Sequence, residues 1–221
     1  MIIPSKITPE LAEETGWHIG DGSMNYYKNS GKIKGIYQLR GHIEDDKSHY
    51  LERIKPIFNK IYGLNINLRE MPSTRVFGFQ IWSNELIKFK ESIGLPLGKK
   101  FNISIPKIFL DNKELEKSVI RGIFDTDGGI YLEKKNNKLY PRIYITTISS
   151  ILSEQLKNLM QNLGLRTTVY SQLFNKNYNR QTAYSVTIRG EVMFHRFMEE
   201  INPKNPKHIE KYHLFLNSKT F

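Results

Sequence analysis

The spacing of apolar positions along the chain predicts two successive runs of the same elements. Apolar residues recur at a period near 3.6 in some segments and near 2 in others, which predicts helices and strands respectively. The first run predicts helices at 9–20, 47–63 and 84–94 and strands at 24–28, 33–41, 64–69 and 75–82. The second predicts helices at 111–126, 150–163, 190–201 and a last one to 216, with strands at 129–135, 140–148, 165–174 and 182–189.

Each half therefore has the order helix, two strands, helix, two strands, helix. We expect an α+β fold made of tandem duplicated αββαββα halves, with residues 1–108 in the first and residues 109–221 in the second. The repeat is too long for a solenoid, whose periods are about 20–50 residues. The irregular segment 95–106 is expected to link the two halves.

Local signals predict where several helices begin. Thr8 followed by a proline is typical of a helix N-terminus, and Ser83 predicts another. The pair Asp45 and Asp46 offers a cap for the second helix, and Asp111 with an acid three residues later predicts a capping box.

Two stretches at matched places in the halves carry the most unusual chemistry. Residues 15–22 end in Gly-Asp-Gly and residues 120–128 end in Asp-Thr-Asp-Gly, so that Asp127 follows Asp21 by 106 residues. A carboxylate in the last turn of a helix faces the negative end of the helix dipole, which costs up to about 1 kcal/mol. A matched pair of such acids needs a compensating cation.

Charge narrows the class of partner. The net charge is +11, shared as +5 in residues 1–108 and +6 in residues 109–221. This excess favours a polyanionic partner such as nucleic acid, and the alternative is a basic protein with no nucleic-acid role. The absence of cysteine excludes disulfides, thiolate metal sites and a cysteine nucleophile.

The sequence shows no signal for a membrane or for secretion. It has no apolar run of about 18 residues and no signal-peptide core, so we expect no membrane partner and an intracellular, cytoplasmic or organellar, protein that is not secreted. Because it begins with neither Cys nor Ser, it is expected to be free-standing.

The two matched stretches resemble the motif of the LAGLIDADG homing endonucleases, in the form that carries two motifs on one chain. Residues 120–128 follow the motif closely, whereas the first copy departs from it at Thr15, His18 and Ile19. The resemblance implies two motif helices at a pseudo-two-fold interface and two antiparallel sheets that form a DNA-binding saddle. It implies a site-specific endonuclease that cuts both strands of double-stranded DNA across the minor groove and leaves short 3′ overhangs.

The resemblance also implies the site residues. Asp21 and Asp127 would hold Mg²⁺, for which Mn²⁺ would substitute, together with their neighbours Gly20 and Thr126. Asp125 is expected to be a hydrogen-bonding residue instead. The lysines near the metals would be Lys99 or Lys100 in the first half and Lys207, rather than Lys204, in the second. Small residues would let the motif helices approach closely, namely Gly16, Gly20 and Gly122.

The strands would supply the surface that reads DNA, since a two-stranded ribbon fits the major groove. The candidates are Lys28, Lys34, Gln38, Arg40, Arg69, Arg75, Gln80, Lys134, Arg142, Gln172, Arg180 and Arg189. The expected partner is double-stranded DNA with a long, asymmetric target, bound by a monomer, with intron RNA as a second partner. The alternative function is a non-cleaving protein on the same fold, either an intron RNA maturase or a DNA-binding regulator.

Overall fold

The computed structural model describes residues 1–29, 31–172 and 181–219, which form seven helices and eight strands. The helices are α1 (Pro9–Asp21), α2 (Lys47–His49, then the π-helical turn Tyr50–Ile54, then Lys55–Tyr62), α3 (Asn84–Ser92), α4 (Lys113–Asp127), α5 (Ser150–Asn162), α6 (Glu191–Ile201) and α7 (Pro206–Asn217). The strands are β1 (Gly22–Asn29), β2 (Lys32–His42), β3 (Arg69–Met71), β4 (Val76–Trp82), β5 (Gly128–Lys135), β6 (Lys138–Thr147), β7 (Thr167–Gln172) and β8 (Ala183–Arg189).

The strands form two four-stranded antiparallel sheets with the same topology. Their orders are β1-β2-β4-β3 and β5-β6-β8-β7, which confirms the predicted α+β class and the repeated αββαββα order, to which the second half adds α7. In each half the first strand begins directly after the motif helix, at Gly22 and at Gly128. The motif acids Asp21 and Asp127 therefore lie where the motif helices meet the two sheets.

The motif helices α1 and α4 pack against each other through their backbones. A Cβ atom added to Gly16 would lie 2.8 Å from Gly122 Cα, and one added to Gly122 would lie 2.9 Å from Gly16 Cα. A Cβ on Gly20 would lie 2.8 Å from Thr126 Cβ. These distances are shorter than normal contacts, so any larger residue at these glycines would push the helices apart.

Some expected helix starts differ from the observed ones. Thr8 and Ser83 do accept the predicted bonds from the first turns of α1 and α3. The capping box at Asp111 is wrong, because Asn112 caps α4 and accepts from two backbone N–H groups at 3.0 and 3.2 Å. Asp111 has φ +67° and lies outside the helix. Asp46 makes no cap bond to α2, because other donors use its carboxylate.

The predicted strand at 64–69 is also wrong over most of its length. Only Arg69–Met71 pairs with β4, and residues 64–68 form no regular structure. Ile66 is buried in the core, and Leu64 and Leu68 pack against that core. Alternate burial of apolar residues therefore holds this segment in place without a strand ladder. The predicted strand end at 173–174 lies outside the described residues.

None of the described helices has both the length and the apolar content required to cross a membrane.

Candidate active site

The two motif acids lie close together at the ends of α1 and α4. A Cβ on Gly20 would be 3.4 Å from Asp127 Cγ, which places the second acid beside the end of the first helix. Solvent reaches Asp127, whereas Asp21 is half-buried. Both carboxyl groups are nevertheless surrounded by protein atoms, because each is at the junction of a helix and a sheet.

Their surroundings favour the protonated forms of both acids. Burial, then the charges of Asp127 and Asp46, raise the pKa of Asp21 to about 8. Burial raises the pKa of Asp127 to about 6, while Lys100 and Lys207 act in the opposite direction. The same two lysines also lower the pKa of Asp21. Ionising both acids therefore costs free energy unless a cation binds to them.

Lys100 is the lysine that the first half brings to the acids. Its Nζ donates to the carbonyls of His18 at 3.3 Å, Ile19 at 2.9 Å and Gly20, which are the last carbonyls of α1. A cation at this end of a helix stabilises the dipole. The structure places Lys99 elsewhere, with its Nζ 5.4 Å from the centre of the Phe101 ring.

Lys207 reaches the acids from the second half through an ion pair with Asp46. Its Nζ lies 2.7 Å from Asp46 Oδ1, and the Asn205 side chain donates to the same oxygen at 2.8 Å. The backbone N–H of His42 donates to Asp46 Oδ2 at 2.7 Å. Asp46 is thus a buried acid of the first half that holds a lysine of the second half beside Asp21.

Sequence reasoning missed both Asp46 and Tyr50 at this site. Tyr50 is fully buried in the π-helical turn of α2, and its hydroxyl faces Asp21 without a hydrogen bond of normal geometry among the described residues. Burial, and then the charges of Asp21 and Asp46, hold the pKa of Tyr50 well above its ordinary value. The acid pair before α2 was the available signal, but it is equally typical of a helix cap.

Asp125 belongs to a hydrogen-bond group that Asn205 joins to Asp46. Its carboxylate accepts from the backbone N–H of Lys204 at 2.9 Å and of Asn205 at 3.2 Å, at the start of α7. Burial raises the pKa of Asp125 to about 7, against these two bonds. Lys204 therefore contacts Asp125 through its backbone and is not paired with either motif acid.

The donor set at the motif acids fits a hard divalent cation. Asp21 Oδ2 is buried and has no hydrogen-bond partner in the described part of the chain. Within that part no group of three or more His, Cys, Asp or Glu residues could hold a metal alone. Mg²⁺ commonly binds one or two carboxylates and completes its shell with water and substrate phosphate, so two acids suffice.

Gly20 and Thr126, the two neighbours expected to help hold the metal, already use their oxygen atoms in hydrogen bonds. The Gly20 carbonyl already accepts from Lys100 Nζ. The Thr126 hydroxyl donates back to its own helix, toward the carbonyls of Gly122 at 3.0 Å and Ile123 at 3.1 Å.

The outer face of each sheet, which is the face turned away from the helices, carries most of the expected DNA-reading residues. Tyr37 and Leu39 of β2 are buried toward the helices, so Gln38 and Arg40 point outward. The register places these candidates on the outer faces: Lys34, Gln38, Arg40, Arg69, Gln80, Arg142, Gln172 and Arg189.

The other candidates have different positions. Lys28 and Lys134 alternate with the helix-facing residues, although both are exposed near hairpin ends. Arg75 is in the turn before β4 and lies 4.0 Å from Glu44. Arg180 lies outside the described residues.

Sequence reasoning also missed exposed aromatic side chains on the outer faces. Their surface positions follow from strand alternation, which could have identified them. They are Tyr27, Trp82, Tyr131, Tyr140, Tyr144 and Tyr170.

Relatives by sequence have varied names. The chain is 26% identical over 216 residues to glutamine–fructose-6-phosphate aminotransferase of Methanocaldococcus jannaschii, covering 97% of this chain and 18% of that protein. It is 30% identical over 109 residues to the ATP-dependent DNA helicase Hel308 of the same organism, covering 46% of this chain and 9% of that protein. The chain thus spans less than a fifth of either relative, and their names carry no activity to it.

Solved structures and a family model agree with each other. I-DmoI in complex with DNA and Ca has a TM-score of 0.58 at 17% identity, covering 81% of this chain and 82% of that chain. The LAGLIDADG meganuclease I-AabMI bound to uncleaved DNA has a TM-score of 0.58 at 14% identity, covering 96% and 90%. The model of the LAGLIDADG-like domain matches residues 114–202. The predicted resemblance is confirmed to this extent: residues 114–202 match the LAGLIDADG-like domain, and the chain shares the fold of I-DmoI and I-AabMI.

Proposed function

We propose that this chain is a metal-dependent endonuclease that cuts both strands of double-stranded DNA at a specific site. The observation that carries the proposal is the pair Asp21 and Asp127, held at the ends of two packed helices with Lys100 and Lys207 beside them. Burial is the first cause of both raised pKa values, and the charge of Asp127 adds to it at Asp21, so a bound divalent cation would offset the cost of ionising the pair. This arrangement suits chemistry on a phosphodiester.

Each residue group has a distinct part in the proposed reaction. Asp21 and Asp127 would hold Mg²⁺, or Mn²⁺ in its place, with one acid serving each DNA strand. When bound, the ion supplies Lewis-acid stabilisation of charge on the scissile phosphate. Lys100 and Lys207 offset phosphate charge, and their positions are fixed by helix carbonyls and by Asp46. Cuts on both strands across the minor groove would leave short 3′ overhangs.

The two sheets supply the binding surface for a long, asymmetric target. The net charge of +11 favours a polyanion, and eight of the basic or amide candidates lie on the outer faces. Structures of similar proteins contain target DNA. In one the DNA is nicked and Mn is present, and in another Mg is present. Because both motifs are in one chain, we propose that a monomer binds DNA, inside a cell.

Substitution of each acid tests the proposal. The protein is incubated with a library of plasmids carrying random inserts, with Mg²⁺ or with chelator, and products are separated on gels. We expect the wild type to linearise a subset of plasmids only with Mg²⁺. Asp21→Asn and Asp127→Asn should abolish cutting or leave single-strand nicks, while Asp45→Asn, an exposed acid outside the site, should cut normally.

The outcomes separate the two candidate functions. Full double-strand cutting by either site variant would contradict the assignment of the acids. Sequence-specific binding by the wild type without any cutting would instead support the non-cleaving alternative, and a preference for intron RNA over DNA would identify a maturase.

A further inference from the structure

The outer faces of the two sheets differ at one matched pair of positions. In the second sheet Arg142 of β6 is directly opposite Arg189 of β8. In the first sheet Ile36 of β2 is directly opposite Trp82 of β4. Along β2, Ile36 is as many positions from the residue paired with Gly22 as Arg142 is, along β6, from the residue paired with Gly128. The two pairs therefore occupy equivalent places relative to the two acids.

Both arginines of the second sheet are held in place by neighbours. Arg142 Nη2 donates to Glu133 Oε2 at 3.1 Å. The Arg189 guanidinium lies 5.0 Å from the centre of the Tyr170 ring, within the range of a cation–π contact. A side chain that is already ordered loses less entropy on binding. These arginines are thus better prepared for a directional contact than free surface arginines.

The arginines line one open cleft on the outer face. The cleft has a volume of about 380 Å³, and Tyr131, Tyr144 and Gln172 complete much of its wall. Paired residues on neighbouring antiparallel strands are about 5 Å apart at Cα, and successive bases in DNA are about 3.4 Å apart. Two long side chains from this pair can therefore reach two neighbouring base pairs.

We propose that Arg142 and Arg189 read guanine in the half of the target that faces the second sheet. This inference rests on the proposed function, because it requires DNA on the outer faces. A guanidinium matches the O6 and N7 acceptors of guanine in the major groove and donates to both at once. Two adjacent arginines select two guanines at neighbouring base pairs, on one strand or on opposite strands.

The matched positions of the first sheet predict a different preference. Ile36 is buried, and Trp82 is 55% exposed, so an uncharged aromatic surface takes the place of the arginine pair. Apolar side chains in the major groove favour the methyl group of thymine. The target should therefore be asymmetric, with guanine on one side and thymine on the other, at equal distances from the centre of the site.

Selection of bound DNA tests this inference without requiring cleavage. Random duplexes are bound by the wild-type protein without Mg²⁺, recovered and sequenced over several rounds. We expect guanine at two neighbouring positions on one side. Arg189→Gln should lower the preference for guanine at one of them by roughly tenfold to a hundredfold. Arg189→Lys should keep overall affinity but lose the same preference, since an ammonium cannot donate in the same fork.

Trp82→Ala serves as the matched control in the first sheet. It should relax the thymine preference on its own side and leave both guanines selected. Equal weakening of all sequences by Arg189→Gln would show a phosphate contact and overturn the inference, as would enriched sites without these guanines. Selection of the guanines without cutting in Mg²⁺ would refute the nuclease alone, whereas failure to bind any DNA would refute both. Unchanged thermal unfolding would show that the variants fold.

Discussion

Each half brings one acid to the same point, but the buried residues around its motif helix differ between the halves. In the first half Glu14 is fully buried and accepts from Tyr37 and Tyr62 hydroxyls at 3.0 and 3.1 Å, with Lys90 as its buried ion-pair partner. The matched positions of the second half are apolar and buried: Ile120, Ile143 and Phe197. A polar and an apolar interior therefore support the same backbone, which shows that register and glycine contacts fix where the acids lie.

The immediate surroundings of the acids differ as well. Asp46 and Tyr50 approach Asp21 from the start of α2. At the start of α5, Ser149 caps its own helix and Ser153 donates to a backbone carbonyl at 2.8 Å, so neither acts on Asp127. Asp21 therefore has another carboxylate, Asp46, close enough to raise its pKa, whereas the matched serine raises no pKa at Asp127. Two sets of substitutions and one pH series test how these differences between the halves affect stability.

The largest effect is expected from the buried ion pair of the first half. Lys90→Met leaves Glu14 buried without its cation, which should lower the free energy of unfolding by about 3–5 kcal/mol. Chemical denaturation followed by circular dichroism measures the loss. The matched change in the second half, Phe197→Met, exchanges one apolar side chain for another and should cost about 1.5 kcal/mol or less.

A second variant checks the cause of that loss. The double variant Glu14→Gln with Lys90→Met removes both charges while leaving an acceptor for the two tyrosine hydroxyls. It should be more stable than Lys90→Met alone. Equal losses for the single and double variants would mean that lost packing, and not an unpaired charge, causes the effect.

The sequence predicted most of the fold because its signals are local. Apolar periodicity located all seven helices, helped by the glycines that follow the first five, and only the strand at 64–69 was misplaced. There, burial of Ile66 gives the same alternating pattern as a strand ladder. Pattern alone does not distinguish an extended segment that is packed from one that is paired.

The site was predictable where the motif fixes it and not where it depends on packing. The motif predicted Asp21 and Asp127 as the site acids, and in the structure the two lie close together. The choice between Lys99 and Lys100 depends on how segment 95–106 folds against α1. Asp46 has the sequence appearance of a helix cap, and its pairing with Lys207 spans 161 positions of the chain. Contacts between the halves of this kind leave no periodic signal.

The second series uses pH, and its effect should be smaller. The folded state keeps the Asp21 proton up to a pKa of about 8, whereas the unfolded chain has lost it above pH 4 or so. The folded state therefore binds the extra proton, and stability must fall as pH rises through this range. Between pH 6.5 and 8.5 we expect a loss of roughly 1–2 kcal/mol without metal, measured by denaturation at each pH.

The other acid is the control for this series. Asp21→Asn should remove most of the fall in stability between pH 6.5 and 8.5 and leave only the smaller share of Asp125, whose pKa is about 7. Asp127→Asn should only reduce it, because burial, the first cause of the raised Asp21 pKa, remains while the charge of Asp127 is removed. Mg²⁺ should stabilise the wild type more at pH 8.5 than at pH 6.5. An equal effect of Mg²⁺ at both values would contradict binding at the ionised acids.

The smallest expected difference is in the stability lost when Lys100 or Lys207 is replaced. Lys100→Met removes the donor to three carbonyls at the end of α1, so it should lower the free energy of unfolding by about 1–3 kcal/mol. Lys207→Met should cost only about 1 kcal/mol, because Asp46 keeps its bonds from His42 and Asn205. Thermal unfolding at pH 7.5 without metal separates the two values. A larger loss for Lys207→Met would contradict this order. It would mean that the ion pair of Lys207 with Asp46 stabilises the fold more than the bonds of Lys100 to the end of α1 do.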